Sequence, residues 1–371
     1  MVTYIIRRLL LLPPTLIGMT LIVFLVLANA PGGIGASLLS RTGELRPDER
    51  KAREEYLNRR YGLDKPKYAQ YLRWLNKVSP IGFTTYNDND PAVKAGRARA
   101  GDVALTRPRL KLPDLGDSFA RGRPVMALIG EALPITLLLQ AISLPLSYML
   151  AIWLGIQQAR RRGSAIDYTI SGWTLALWSI PQIWVGVLLI GFLANDQYLH
   201  WFPTTGLNDL NEAAMTFLPR ITEAGFEKGW LLDRLYHLIL PIVTLTYVDF
   251  AFLSRLTRGA LLDNLNADFV RTARAKGLPE RIVLYQHAFR NSLIPLITVL
   301  VNLLPGLIAG SVVVENIFSI SGMGKLAVDA AFQRDFELLL SITLVAAVLE
   351  LIAYLLADLG YAVADPRVSY E

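Results

Sequence analysis

The sequence predicts an all-α integral membrane protein with six transmembrane helices and a sizeable external insertion after the first. Three observations carry that expectation. Of 371 residues, 53% are hydrophobic and only 18% charged, against about 25% charged in an average soluble domain. Six stretches (9–30, 130–156, 168–194, 236–255, 292–314 and 338–362) approach the length of about 20 apolar residues that crosses a hydrocarbon core. Lysine and arginine are also divided unevenly between the connecting segments.

Each span is expected to be helical, because backbone polar groups in lipid must be satisfied within the segment. Prolines 13, 14, 145, 181, 241 and 305 lie in or near the spans. Neighbouring helices can re-satisfy the carbonyls that such kinks release. Residues 1–30 form the first span. The run "RRLLLLPPTLIGMTLIVFLVLANAPG" ends on a small-x-small pattern at Ala28-Asn29-Ala30, as a signal peptide would. Its apolar run exceeds the 7–15 residues of a signal core, so we expect it to be retained as a helix.

Residues 31–129 read as an external cap. "DERKAREEYLNRRYGLDKPKYAQYLRWL" predicts two amphipathic helices broken at Gly62–Pro66, the second with an apolar stripe of Tyr68, Tyr71, Leu72 and Leu75. Residues 79–111, rich in Gly, Asp, Asn and Arg, read as an extended or mobile insert. Residues 130–371 supply a five-helix core. With the N-terminus inside, the inner segments hold Arg7, Arg8, Arg160, Arg161, Arg162, seven basic residues within 255–291, and Arg367. The two short outer loops hold Arg220, Lys228, Arg234, Lys325 and Arg334. The positive-inside rule therefore places both termini in the cytoplasm.

Several chemistries are excluded or disfavoured. With no cysteine there is no disulfide, thiolate metal site or cysteine nucleophile. His200, His237 and His287 are scattered without metal-ligand spacing, so no zinc site is expected. No HExxH or GxSxG occurs, and no enzyme is expected. "GMGK" at 322–325 lacks the first glycine and the Ser/Thr of a phosphate loop, so a glycine-rich external turn is the better account. Acids inside spans are costly and count as functional candidates. Glu350 is a candidate for the translocation path, Asp249 is near enough to Arg255 for an interfacial pairing, and Asp358 lies in the sixth span.

The stretch "ADFVRTARAKGLPERIVLYQHAFRNSLIP" at 267–295 interrupts the apolar pattern, within a cytoplasmic segment of about 256–291. Leu262, Leu265, Phe269 and Ala273 fall on one helical face. Gly277 is suited to end that helix and Pro279 to open a second, with Ile282, Tyr285 and Phe289 on its apolar side. Arg271, Arg274, Lys276 and Arg281 are left for the other surface. Four charges on one tethered element argue weakly for nucleic acid, and no nucleic-acid partner is expected. The residues alone leave a lipid surface and a protein cleft both open.

The stretch resembles the ATPase-coupling loop of ABC importer permeases, whose pattern is Glu-Ala-Ala, three residues, Gly, and later an apolar-Pro pair. Here the matching residues are Arg271-Thr272-Ala273, Arg274-Ala275-Lys276 and Gly277, followed by Leu278 and Pro279. Arg replaces Glu, Thr replaces the first Ala, and Ile294-Pro295 lies farther along. Those departures are similar to the dipeptide/oligopeptide/nickel permease branch. "RYGLDKP", "QYLRWL", "LGDSF" at 115–119, "LPITLLL" at 133–139, "VVVENIFSISGMGKL" at 312–326 and "DPRV" at 365–368 extend the resemblance. The long outer segment and "WFPTTGL" resemble the sub-branch serving microcin-like and other peptides.

The resemblance implies the type I importer fold in a bacterial inner membrane. It implies a second homologous permease, two ATP-hydrolysing subunits that carry the ATP and magnesium, and an external solute-binding protein. No cofactor is expected on this chain. Residues 271–279 would dock on an ATPase, and Glu315, Phe318, Gly322 and Gly324 would belong to an external gate. An ion-coupled secondary transporter would usually show repeats or broken helices around central charges; this chain has few central charges and no evident repeat, and its coupling loop would be unexplained. A non-transporting sensor or assembly protein could keep the same docking loop.

Overall fold

Long apolar runs form helices here despite internal prolines, as membrane helices can where neighbouring groups re-satisfy the freed carbonyls. The structure, a computed structural model, describes residues 2–29, 65–86, 90–97, 102–104, 107–118, 120–222, 225–303 and 311–364, with isolated positions 48, 51, 55, 58 and 62. Residues 132–326 with 349–371 form one unit, and 2–131 with 327–348 a second.

In the second unit, α1 (Val2–Asn29) runs through Pro13 and Pro14. Helix α2 (Lys67–Val78) packs on it. Phe24, Tyr71 and Trp74 are buried, with ring centroids 5.4–6.3 Å apart. The Tyr71 hydroxyl donates to the Ile17 carbonyl (3.0 Å) and lies 2.9 Å from Thr20 Oγ1. This contact selects the buried face of α2. Gln70, Tyr71, Arg73, Trp74 and Val78 are inside, while Tyr68 and Leu72 of the expected stripe are exposed. The first of the two expected cap helices lies outside the described residues, apart from isolated positions.

The insert doubles back where an extended segment was expected. Strand β1 (Ile81–Gly82) precedes a short α3 (Pro91–Lys94), and β2 (Arg109–Leu110) returns antiparallel to β1. The bridge Thr85–Val103 continues the pairing. Asn76 anchors the turn into it. Its side chain accepts from the Phe83 N–H (2.7 Å) and donates to the Phe83 carbonyl (3.0 Å). A Cβ at Gly82 would come within 2.5 Å of Asn76 Oδ1, so only glycine fits there.

Strands β3 (Asp117–Ser118) and β4 (Arg123–Pro124) form a second pair, within and just after the "LGDSF" motif. Ser118 donates to the buried Asp335 carboxylate (2.5 Å), which also accepts from the Ala120 and Leu338 N–H groups. Asp335 thus caps the helix beginning at Phe336.

The first unit holds most of α4 (Val125–Arg160). It continues through α5 (Ala165–Ser179), α6 (Gln182–Leu189) with a π-helical turn Ile190–Ala194, and the short pair β5 (Arg220–Thr222) and β6 (Gly225–Glu227). Helices α7 (Gly229–Leu265) and α8 (Asp268–Ala275) follow. Then α9 (Glu280–Ile282) passes through a π-helical turn Val283–Phe289 into α10 (Arg290–Leu303). Helices α11 (Val312–Ile317), α12 (Met323–Phe332) and α13 (Phe336–Ala364) complete the order.

Helices α1, α4, α7 and α13 contain apolar segments long enough to cross a membrane. The expected span 168–194 is two helices bent by 92° at Ile180–Pro181. Ile180, preceding proline, is extended, as its steric clash with the proline ring favours. The break is satisfied from α7: Tyr247 donates to the Ile180 carbonyl (2.8 Å), and Gln182 donates to the Thr244 carbonyl (3.0 Å). The expected span 292–314 is described only to Leu303 and from Ser311, so Pro305 lies outside the described residues. Asp249 and Arg255 form no ion pair among the described residues. Six residues apart on α7, they point about 120° apart around its axis.

Trp74→Ala should lower stability by about 3–5 kcal/mol, because it removes the largest fully buried side chain of the α1–α2 contact. Thermal unfolding in detergent measures this. An unchanged midpoint would contradict the assigned packing.

Candidate functional site

The segment singled out in the sequence folds as a helical hairpin around Gly277. Helix α7 stops at Leu265, and Asn266 and Ala267 separate it from α8. The single face expected from Leu262 to Ala273 is therefore broken: Phe269 is exposed, and Val270 and Ala273 are the buried residues of α8. At the end of α8, Leu278 N–H donates to the Ala273 carbonyl (3.4 Å) and Gly277 N–H to that of Arg274 (2.9 Å). This is the Schellman arrangement, which needs a left-handed residue at its centre. Gly277 supplies it with φ +74°.

Pro279 then directs the chain into α9, its carbonyl accepting from the Ile282 and Val283 N–H groups (2.8 and 3.1 Å). The π-helical turn that follows adds a residue to the turn and rotates the buried face. Val283, Leu284 and Ala288 are inside, whereas Tyr285 is exposed and Ile282 and Phe289 are half-buried. Sequence periodicity at 3.6 residues put Ile282, Tyr285 and Phe289 on that face and missed the shift.

One apolar cluster fastens the hairpin to the helices behind it. Ile156 and Ala159 of α4, Leu261 of α7, Val270 and Ala273 of α8, and Val283, Leu284 and Ala288 pack together, all buried. Leu278 packs against the same cluster. Behind it, a Cβ on Gly155 would lie 2.5 Å from Thr257 Cβ, so α4 and α7 touch at backbone distance. Gln158 accepts from Ser254 (3.1 Å) and donates to Ser171 (2.8 Å).

An ion pair between buried Asp167 and half-buried Arg258 adds a polar clamp that the sequence reading missed. Arg258 donates twice to Asp167, at 2.7 Å each, and Gly163 N–H donates to the same carboxylate (3.0 Å). The two parallel N–H to carboxylate bonds fix the guanidinium plane against Asp167. No sequence pattern links residues 91 positions apart.

The outer surface of the hairpin is polar and exposed. Arg271, Thr272, Arg274, Ala275, Lys276, Gly277 and Pro279 all face out, with Arg281 beside them. Arg274 forms a two-point pair with Glu280 across the turn (2.7 and 3.2 Å), which straps α8 to α9. Arg160, Leu265, Arg274, Arg281 and Tyr285 line a groove of about 640 Å³ beside it.

The second predicted group also converges. Glu315 is fully buried; it accepts from Thr136 Oγ1 (2.8 Å) and the Lys325 N–H (3.0 Å), and also from the Gly324 N–H. Thr136 accepts in turn from the Met323 N–H (2.8 Å). Glu315 and Thr136 therefore cap α12 with one charge and one hydroxyl. The two glycines allow it. A Cβ on Gly322 would lie 2.5–2.6 Å from Glu315 and Thr136, and one on Gly324 would lie 2.8 Å from Val312 backbone. Phe318 is buried in a cluster with Leu139, Leu238 and Ile320, and its carbonyl accepts from Gly206 N–H (2.9 Å). Glu350 is half-buried on α13. The Asp358 side chain and "DPRV" at 365–368 lie outside the described residues.

Gly322→Ala should destabilise the chain by about 1–3 kcal/mol through overpacking against the Glu315 carboxylate. Thermal unfolding against the parent chain reads it, and a neutral result would contradict the cap geometry.

Residues 147–370 match the family described as binding-protein-dependent transport system inner membrane component. The chain is 39% identical over its full length to the full-length oligopeptide transport system permease protein AppB of Bacillus subtilis (strain 168). It is 32% identical to the di/tripeptide transport system permease protein DppB of Pseudomonas aeruginosa (strain UCBPP-PA14), again over all of both chains. The peptidoglycan transport system permease protein YejB of Agrobacterium fabrum (strain C58 / ATCC 33970) is 31% identical, with 99% of this chain and 98% of that one covered. With its apolar helices and its Gly277 hairpin held on a packed seam, the chain belongs to the family of binding-protein-dependent transport system inner membrane components.

Proposed function

We propose that this chain is a permease subunit of an ATP-driven peptide importer, and that the Gly277 hairpin is where an ATPase subunit pushes on it. The observation that carries the proposal is the hairpin itself. Its outer face is basic and exposed, while its inner face is one buried cluster with α4 and α7. A force on Lys276 or Arg271 is thereby delivered to two long helices as a rigid-body motion. Alternating access needs that kind of transmission, and no covalent chemistry on cargo is involved.

Peptide as cargo is supported by relatives named for oligopeptide, di/tripeptide and dipeptide transport. The proposed arrangement has six spans in the inner membrane: α1, α4, the bent pair α5–α6, α7, the segment 292–314, and α13. Both termini face the cytoplasm, as does the hairpin. A second permease, two ATPases that bind ATP and magnesium, and an external solute-binding protein complete the importer. Residues 31–129 and the Glu315 cap face outward. Glu315, Phe318, Gly322 and Gly324 hold the external gate, and Glu350 contributes a polar group to the path.

Wide apolar exposure supports the lipid and permease contacts: Met149, Trp153, Trp173, Trp178 and Trp184 are each more than half exposed. Co-purification of the tagged chain from its native membrane should recover a second permease and ATPases. Recovery of the chain alone, under conditions that keep other ABC complexes together, would count against the importer.

Gly277→Val tests the hairpin. The Cβ meets nothing within 4 Å, so the cost is the left-handed backbone, roughly 1–2 kcal/mol. The variant should fold and assemble but lose most peptide uptake while ATP hydrolysis persists. Uptake at the parent rate would overturn the assignment.

A further inference from the structure

At the start of α7, the structure brings Asp209 of the preceding loop up to a pair of residues on the helix. Asp233 and His237 sit one turn apart at the start of α7, both buried. Asp209 reaches them from the preceding loop. Its N–H donates to Asp233 Oδ2 (2.8 Å), which fixes the loop against the helix. One ligand atom from each of Asp209, Asp233 and His237 lies within 4.8 Å of the others.

A second observation points to a ligand. Asp233 is fully buried, yet its Oδ1 has no hydrogen-bond partner. A buried carboxylate oxygen left unsatisfied is destabilising unless a cation or donor meets it. The nearest cationic candidate is His237, whose Nδ1 lies 3.6 Å from Oδ1 and 2.9 Å from the Asp233 carbonyl. That imidazole spends its closer contact on the carbonyl and leaves the carboxylate oxygen open. The other cations nearby are engaged elsewhere. Arg234 donates to Asn208 Oδ1 (2.8 Å) and lies over the Trp230 ring, and Lys228 lies over Tyr236.

We propose that Asp209, Asp233 and His237 form a binding site for a divalent transition-metal cation of the zinc class. One imidazole and two carboxylates suit a borderline ion better than calcium or magnesium, which prefer oxygen alone. An ion equidistant from three atoms 4.8 Å apart lies about 2.8 Å from each, against bond lengths of about 2.0–2.2 Å for zinc. Closing the shell asks for a shift of less than about 1 Å, and exposed Asp209 is free to make it. A cavity of about 910 Å³, lined by Asp196, His200, Thr204, Asp209 and His237, gives the ion a route in and leaves room for a water ligand. The bound ion ties the 195–209 loop to the first turns of α7.

The test uses the full chain with an affinity tag free of histidine, stripped with chelator and re-equilibrated with zinc. Bound metal is then counted by elemental mass spectrometry. The parent chain should hold one equivalent, and zinc should raise its unfolding temperature. Asp209→Asn and His237→Gln should each lose the bound equivalent and the shift, while their unfolding without metal stays near that of the parent. Asp196→Asn, in the same cavity but outside the triad, should keep both. A parent chain that binds no more zinc than the Asp209→Asn/His237→Gln double variant would overturn the proposal. So would loss of zinc in Asp196→Asn with retention in the triad variants.

Discussion

The close approach of α4 and α7 at Gly155 and Thr257 is the constraint on which the rest of the first unit depends. Two helices that meet at backbone distance leave no slack between them, and small residues are what let membrane helices meet this way. The seam continues as Ile156, Ala159 and Leu261, and the hairpin lays Val270, Ala273 and Leu284 onto it. Ala273 illustrates the requirement. Buried between α8 and the seam, it has room for a methyl, and a larger side chain would lever the hairpin off the helices it moves. The resembled family's alanine at this place thus has a packing reason, whereas Arg271 and Thr272, which depart from the family pattern, are exposed.

Polar contacts in the first unit do what water does in a soluble protein. Pro181 opens α5–α6, and Tyr247 and Gln182 satisfy the break from α7. Gln158 joins Ser171 to Ser254, and Asp167 holds Arg258. All but the Gln158–Ser171 bond tie α7 to α4, α5, α6 or the α5–α6 break, so α7 is braced along its length. Such bonds are individually modest in membrane proteins. Together they make α7 a stiff element whose two ends carry the hairpin at one side and the Asp233–His237 turn at the other.

The helical class, the four long apolar helices and the Gly277 turn were legible in the sequence because each rests on local rules: hydrophobic length, a glycine needing positive φ, a proline opening a helix. The hairpin's exposed basic face was legible for the same reason. What failed was phase. The break at Asn266–Ala267 and the π-helical turn at 283–289 each reset the buried face, and no 3.6-residue count anticipates an inserted residue. Likewise Trp74 replaced Tyr68 and Leu72 because an aromatic partner on α1, far off in sequence, chose the face. Long-range pairs were invisible: Asp167 with Arg258, Thr136 with Glu315, Ser118 with Asp335. Asp233 and His237 offered a local signal, an acid and a histidine four apart at the start of a helix.

The absence of cysteine makes one measurement unusually clean, since a single introduced thiol is the only one on the chain. Lys276→Cys, at the exposed tip of the hairpin, would be reacted with a short thiol-to-amine crosslinker in native membranes. Arg220→Cys on β5, which the proposed topology puts on the opposite side, would serve as the control. The account predicts a crosslinked product containing an ATPase subunit from position 276 alone, changing in yield with added nucleotide. A product from position 220 with none from 276, or equal yields from both, would contradict it.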